Sequence, residues 1–274
     1  RIIEDFMLAA NETVAEDCFW QELPFVYRTH DNPDPDRMRK LAAFINNFGY
    51  SIHLKDDEVH PKELQKLLAK LEETPEEDLI SRLTLRSMKQ AKYTTECTGH
   101  FGLAAKYYCH FTSPIRRYPD LQIHRIIKDV LRGRMNGTRE EHYRSILPEV
   151  ARQSSERERK ADEAERETIK LKKVEYMSHH LWEEFDGVIS GVTAWGIYVE
   201  LPNTVEGLVR TASLQGDYFE YNESACAMVG VHTGKSYAIG QKVKVQVTGA
   251  DKMTRTIDFE LVEGIRSTEE YGEG

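Results

Sequence analysis

Cysteine is scarce and scattered. Cys18, Cys97, Cys109 and Cys226 are the four in 274 residues, and they form no CxxC pair. That spacing excludes a zinc ribbon and a dense disulfide scaffold, and it fits free thiols in a reducing, cytoplasmic setting. Long apolar runs are missing too: no stretch approaches the roughly 20 residues that cross a bilayer, so no membrane partner is expected. A general excess of positive charge is also lacking. The formal net charge is -9, which argues against nucleic acid binding over the whole surface. No secretory leader is legible. Residue 1 is Arg rather than Met, and the chain opens inside a helical pattern, so we expect a piece of a longer protein.

What is present is 40% hydrophobic and 30% charged residues, a globular composition with a wet surface. The charge is uneven. Residues 56–78 hold nine acids against three lysines, whereas residues 101–134 hold seven Lys/Arg against two Asp. Local potential decides whether a phosphate backbone binds, so an acidic chain with a basic stripe remains a candidate. The stripe begins at Thr112-Ser113-Pro114-Ile115-Arg116-Arg117-Tyr118-Pro119-Asp120. Two prolines fix this turn at a helix start, and Asp120 falls in the first helical turn. In the helix that follows, Ile123, Ile126, Ile127, Val130 and Leu131 share one side, while Arg125, Lys128 and Arg132 share the other. A rigid element of this kind either carries a solvated basic face or holds a polyanion across its mouth.

The first 180 residues read as mainly helical. Residues 1–20 are apolar round much of the helix, and burial is expected. Asp5, Glu12 and Glu16 form its wet stripe. Glu4 and Asn11 lie apart from it in an apolar sector, where a polar group needs a hydrogen-bond partner or a ligand. Pro24 to His30 alternates like a short strand. The segment Asp31-Asn32-Pro33-Asp34-Pro35-Asp36 is a turn and helix start, and further helices are expected over 36–47, 61–73 and 76–90. Tyr93 to Ser113 is irregular and rich in rings. His100 and His110 lack helical ligand spacing and are read as packing and hydrogen-bonding groups. Residues 138–180 suggest a helix pair, with interspersed charges from Ser154 to Glu167 that favour a solvated, rod-like connector. After Leu181 strands take over, at 185–189, 196–201, 206–209, 242–248 and 256–261. Five short strands in about 80 residues suit a small closed barrel. The fold class is therefore α+β: domains at 1–180 and 181–263, then an acidic tail at 264–274 that is expected to be disordered.

Two resemblances follow from particular motifs. Gly187-Val188-Ile189-Ser190-Gly191-Val192-Thr193-Ala194-Trp195-Gly196-Ile197-Tyr198-Val199-Glu200-Leu201, followed by Glu206-Gly207-Leu208-Val209-Arg210, resembles the S-one-type RNA-binding barrel, a branch of the OB fold. Trp195 and Tyr198, three apart around Gly196, would stack bases at about 1–3 kcal/mol each. Arg210 stands where that family often has His. The first body resembles the C-terminal half of the catalytic RNB domain of the RNase II / RNase R family, through Ile3 to Asn11, His100 to Ala104 and His110 to Arg125. Text around Gly216 to Gly240 is similar to the RNase R branch.

The resemblance implies a processive 3'-to-5' exoribonuclease. It would release nucleoside 5'-monophosphates from single-stranded RNA with a free 3' end, using Mg2+, with no membrane or obligate protein partner. It assigns Arg116 to the scissile phosphate and Glu4 to a ribose near the 3' end. Asn11, Arg125, Trp195, Tyr198 and Arg210 are implied RNA contacts, Arg117 supports the turn or contacts a neighbouring phosphate, and Glu165 is placed near the end of the RNA channel. The family's metal-holding aspartates are expected outside this chain, so the chain alone is expected to be inactive. The run Asp31 to Asp36 is explained as a turn and is not that cluster. A non-catalytic RNA-binding adapter is the competing reading, but it has no need of the Thr112–Asp120 motif.

Overall fold

The computed structural model describes residues 2–55, 58–74, 77–222 and 226–262; the expected acidic tail lies outside them. The chain divides into two compact units, Arg1–Glu163 and Ala164–Gly274. In order, the first unit contains α1 (Ile2–Trp20), β1 (Tyr27–Thr29), α2 (Pro35–Asn46), β2 (Leu54–Lys55), β3 (Glu58–Val59), α3 (Pro61–Leu71), α4 (Glu77–Ser87), β4 (Lys92–Thr94) and α5 (Tyr118–Leu131). The long helix α6 (Gly137–Met177) runs across the boundary between units. Among the described residues no helix is long and apolar enough to cross a membrane.

Local chemistry accounts for two of the helix starts. Asp34 caps α2, accepting from the backbone N–H groups of Asp36 and Arg37, with Pro35 at the first helical position. His60 and Pro61 do the same for α3. These side chains satisfy amides that a helix start leaves orphaned. The amphipathic helices α2, α3 and α4 then bury Met38, Leu41, Ile45, Leu64, Leu67, Leu71 and Ile80 in one core. A second core joins α1 to the ring-rich segment through Ala15, Cys18, Phe25, Tyr27, Tyr107, Cys109 and Ile123. A third packs α5 against the start of α6 through Ile126, Tyr143, Leu147 and Ala151.

Three expectations need correcting. Residues 138–180 are not a helix pair, because α6 continues through Pro148 without a break. Proline there costs one backbone hydrogen bond, but Tyr143, Leu147 and Ala151 on either side are buried and hold the path. The N-terminal half of α1 is not buried either. Ile2, Ile3 and Phe6 are each more than 70% exposed, and Met7 is 45% exposed. Fully buried positions begin only at Asn11, so the apolar composition of the first turns is not matched by apolar surroundings within this unit. Similarly, Leu131, expected on the apolar side of α5, is exposed at the helix end.

The second unit is a closed barrel. Strands β5 (Glu184–Thr193), β6 (Gly196–Glu200), β7 (Glu206–Arg210), β11 (Lys242–Asp251) and β12 (Thr256–Leu261) close in the order β11-β12-β7-β6-β5. The interior holds Ile189, Ile197, Val199, Val209, Val245, Val247 and Phe259, and Val174 and Met177 of α6 cap it. The segment from Gly216 to Gly240 forms its own three-stranded sheet, β10-β9-β8, from β8 (Phe219–Asn222), β9 (Ala227–Gly230) and β10 (Ser236–Ala238). Its turns show no strand grammar, which is why the sheet was not legible. Asp217 organises one end by accepting from the backbone of His232 and Thr233.

Glycine is required where β6 meets β7. A Cβ added at Gly196 would stand 2.3 Å from the backbone oxygen of Val209 and 2.9 Å from the Leu208 side chain. Backbone cannot yield there without breaking the β6–β7 ladder. Gly196→Ala is therefore expected to destabilise the barrel by about 1–3 kcal/mol, the range for overpacking. Urea unfolding followed by tryptophan fluorescence checks this.

Candidate nucleic-acid interface

In the first unit the arginine turn is built from its own sequence. The backbone N–H groups of Arg116 and Arg117 donate to the Ser113 carbonyl, which closes the turn. Asp120 is fully buried. Its carboxylate accepts from the Ser113 N–H at 2.8 Å and from Arg117 Nε at 3.0 Å and Nη2 at 2.8 Å. Arg117 thus lies over the turn with a side chain only 19% exposed, forked onto a carboxylate. Charge-assisted bonds of this bidentate kind are the strong ones, and they fix direction as well as distance. Between these anchors Ile115 and Arg116 are exposed. Among the described residues the Arg116 side chain makes no hydrogen bond or ion pair.

The segment leading into the turn is held residue by residue. Asn11 Nδ2 donates to Tyr108 Oη at 3.2 Å, and Asn11 Oδ1 accepts from the Phe111 N–H at 2.9 Å. Cys109 Sγ reaches the Asn11 carbonyl at 3.2 Å. His110 Nδ1 pairs with Tyr93 Oη at 2.8 Å. The Phe111 carbonyl accepts from His124 Nε2 at 3.0 Å, and the two rings stack at 4.3 Å and 7°. Behind Tyr93, Arg28 lies 4.6 Å from its ring centroid and bonds Glu158 at 2.6 Å.

The expected contacts are therefore sorted by burial. Glu4 is exposed on α1. Asn11 is 4% exposed with both ends of its amide in use, so the structure does not bring it to the surface as a ligand contact. Arg117 faces Asp120. Arg125 is exposed on α5, with Nη1 donating to the buried Gln122 at 2.9 Å, and it continues the basic stripe with Lys128 and Arg132. Glu165 is exposed on α6. Sequence reasoning read His110 as a packing and hydrogen-bonding group, as found, but missed Tyr93, Tyr108 and His124 as supports of the turn. The signal was the density of rings before Thr112, but spacing alone pairs none of them.

In the barrel three of the expected residues come together. Trp195 is 61% exposed, and its Nε1 donates to Tyr198 Oη at 3.1 Å. The rings therefore lie outside the barrel core, which Ile197 and Val199 fill. Arg210 pairs with Gly196 across β6–β7, with its guanidinium turned toward β12. It bonds Asp258 at 3.0 Å, both groups being partly exposed; a pair of that kind is worth little and exchanges readily for another anion. Aromatic faces with a neighbouring cation suit stacked bases and their phosphates.

Among the described residues no group of three or more His, Cys, Asp or Glu could hold a metal ion. His100 and His110 are instead neutral supports. Burial first, then the charges of His30 and Arg28, push His100 down to about 4. Burial first, then Arg117 and Arg28, push His110 down to about 3. The unfolded chain takes up these protons below about pH 6.5, and the folded chain does not until near 4 at His100 and near 3 at His110. Their contribution to stability is complete above about pH 6.5 and is lost as pH falls toward 4. Urea unfolding at several pH values in that window should show the decline, and it should flatten in His100→Gln/His110→Asn.

Comparison with known proteins places this geometry in a family. The RNB domain model matches residues 1–133 and the S1 RNA binding domain model matches residues 182–261. Ribonuclease R 1 of Lactococcus lactis is 46% identical over 96% of this chain and 32% of its own length. Ribonuclease R of Thermotoga maritima is 42% identical over 96% of this chain and 37% of its own. The chain thus spans about a third of the length of these relatives. A solved structure of Mycoplasma genitalium RNase R, in complex with ribose methylated single-stranded RNA, superposes with a TM-score of 0.89 at 26% identity. It covers 95% of this chain and 41% of its own.

Proposed function

Because this chain belongs to the ribonuclease R family, carrying the RNB segment and the barrel of those proteins, we propose that it holds RNA for a 3'-to-5' exoribonuclease. The parent enzyme hydrolyses single-stranded RNA from its free 3' end, one nucleoside 5'-monophosphate at a time. The observation that carries this reading is Arg116: an exposed guanidinium without a protein partner among the described residues, on a turn that Asp120 and Arg117 lock.

In this reading Arg116 binds the scissile phosphate. A planar, permanently charged fork suits two phosphate oxygens and stabilises charge that grows in the transition state. Because the turn is already fixed, little reorganisation accompanies the reaction. Arg117 is the anchor of the turn. Glu4 accepts a ribose 2'-hydroxyl near the 3' end, a contact that distinguishes RNA from DNA. Arg125, with the stripe on α5, attracts the phosphate backbone. Trp195, Tyr198 and Arg210 grip the strand on the barrel. The catalytic Mg2+ would be held by aspartates outside residues 1–274. The described residues offer no ligand set for it, so no step of the reaction runs through a metal held by these residues. The setting is cytoplasmic, in keeping with four cysteines that form no disulfide.

Arg116→Ala in the parent enzyme is expected to lower turnover by about 10²–10³, as for loss of one preorganised charge-stabilising donor, with RNA affinity little changed. Shortening of a 5'-labelled RNA, beside filter binding, measures both; turnover near wild type would remove Arg116 from the site. Trp195→Ala/Tyr198→Ala is expected to weaken binding of long RNA by about 1–3 kcal/mol per lost stack, with turnover of very short RNA unaffected. Unchanged affinity for long RNA would assign the two rings a purely structural part.

A further inference from the structure

Asn11 joins the two elements that the proposed site needs together. It sits on α1, seven residues and so about 10 Å along the helix from Glu4, on nearly the same angular sector. Its side chain is inside the protein, 4% exposed. Every polar group it presents is committed to one run of chain: Nδ2 to Tyr108 Oη at 3.2 Å, Oδ1 to the Phe111 N–H at 2.9 Å, and its carbonyl to Cys109 Sγ at 3.2 Å. That run enters directly on Thr112 and the Arg116 turn. Above Asn11 the helix meets little else, since Ile2, Ile3 and Phe6 are exposed. The α1 half that carries Glu4 is therefore located by the Asn11 junction and the packing of Ala15 and Cys18 behind it.

We propose that Asn11 is a positioning residue that sets the separation between the ribose contact Glu4 and the phosphate contact Arg116. This rests on the functional reading above for the roles of Glu4 and Arg116, but the junction itself stands on the geometry. A single amide spans α1 and the incoming segment with a donor on one side and an acceptor on the other. A hydrophobic side chain of the same size would satisfy neither Tyr108 nor Phe111. The α1 helix would then be free to slide or rotate relative to the turn while both remained folded. Displacements of about 1 Å between catalytic groups cost on the order of a hundredfold in rate.

The test uses the full-length parent enzyme. Asn11→Leu removes both bonds, and Tyr108→Phe removes one. Asn11→Asp keeps both, because one carboxylate oxygen still accepts from Phe111 N–H and the other accepts from a Tyr108 hydroxyl turned to donate. Leu67→Ala, in the separate core of α2, α3 and α4, matches loss of stability without touching the junction. Well below the melting temperature, Asn11→Leu is expected to lower kcat on the order of a hundredfold with KM little changed. It should also narrow the preference for RNA over a 3'-terminal 2'-deoxynucleotide. Tyr108→Phe should fall between it and wild type, Asn11→Asp should recover turnover, and Leu67→Ala should keep it. Hydrogen exchange over residues 108–117 should speed up in Asn11→Leu and stay at the wild-type rate in Leu67→Ala.

Wild-type kcat in Asn11→Leu, or a loss equal to that of Leu67→Ala, would overturn the inference. So would raised KM with unchanged kcat, which would make Asn11 a direct RNA contact. Unchanged exchange over 108–117 would overturn it whatever the activity. If wild type fails to degrade RNA, or Arg116→Ala keeps full turnover, the functional reading falls instead, and the exchange measurement still decides whether Asn11 holds the turn.

Discussion

One buried carboxylate governs the arginine turn. Asp120 has no exposed surface, and a charge in that position is tolerable only with donors on it. It has the Ser113 amide and two nitrogens of Arg117. The consequence reaches beyond those three residues. With Arg117 turned inward to neutralise Asp120, the next guanidinium in sequence, Arg116, is left facing out. Two adjacent arginines thereby acquire opposite duties, one structural and one available to a ligand, and the division follows from where the carboxylate is buried.

The supports behind the turn follow a similar logic. Tyr93, Tyr108, His110 and His124 are amphipathic rings, each filling space with one part and bonding with another. Burial of His110 keeps it neutral, so it adds no charge that would compete with Arg116 for an anion. Arg28 and Glu158 neutralise each other behind Tyr93. The positive potential of the region therefore comes from Arg116 and the stripe on α5, even though the chain as a whole carries a net charge of -9. In the barrel a steric rule does the equivalent work. The close approach of Gly196 to Val209 brings β6 and β7 together at the point where Trp195 and Arg210 leave the surface, so both side chains are placed by a position that admits none itself.

Much of this was legible in the sequence because it depends on local rules. Helix starts at Asp34-Pro35 and His60-Pro61 are caps read within three residues. The five barrel strands appear as short alternating runs, and their closure into an OB-type barrel follows from the need to hide strand edges. The motif around Arg116 stood out because its prolines and arginines are adjacent. Harder to read were features whose partners lie far along the chain. Asn11 meets Tyr108 across 97 residues and Phe111 across 100, and no periodicity reports such a pairing. Apolar composition misled at the start of α1, since a pattern of apolar residues states a need for burial and not its fulfilment. The helix pair expected over 138–180 is one helix, because packing on both sides of Pro148 outweighs the bond that proline removes.

By itself, then, the sequence determined the α+β class, the caps, the barrel and the candidate residues of the proposed site, since each follows from propensity, patterning or a contiguous motif. Tertiary structure alone decided which of them are available. Burial took Asn11 and Arg117 into the framework and left Glu4, Arg116, Trp195 and Arg210 outside. The physical reason is that availability depends on desolvation and on partners supplied from distant segments. Those exist only once α1, the ring-rich segment and α5 are packed together.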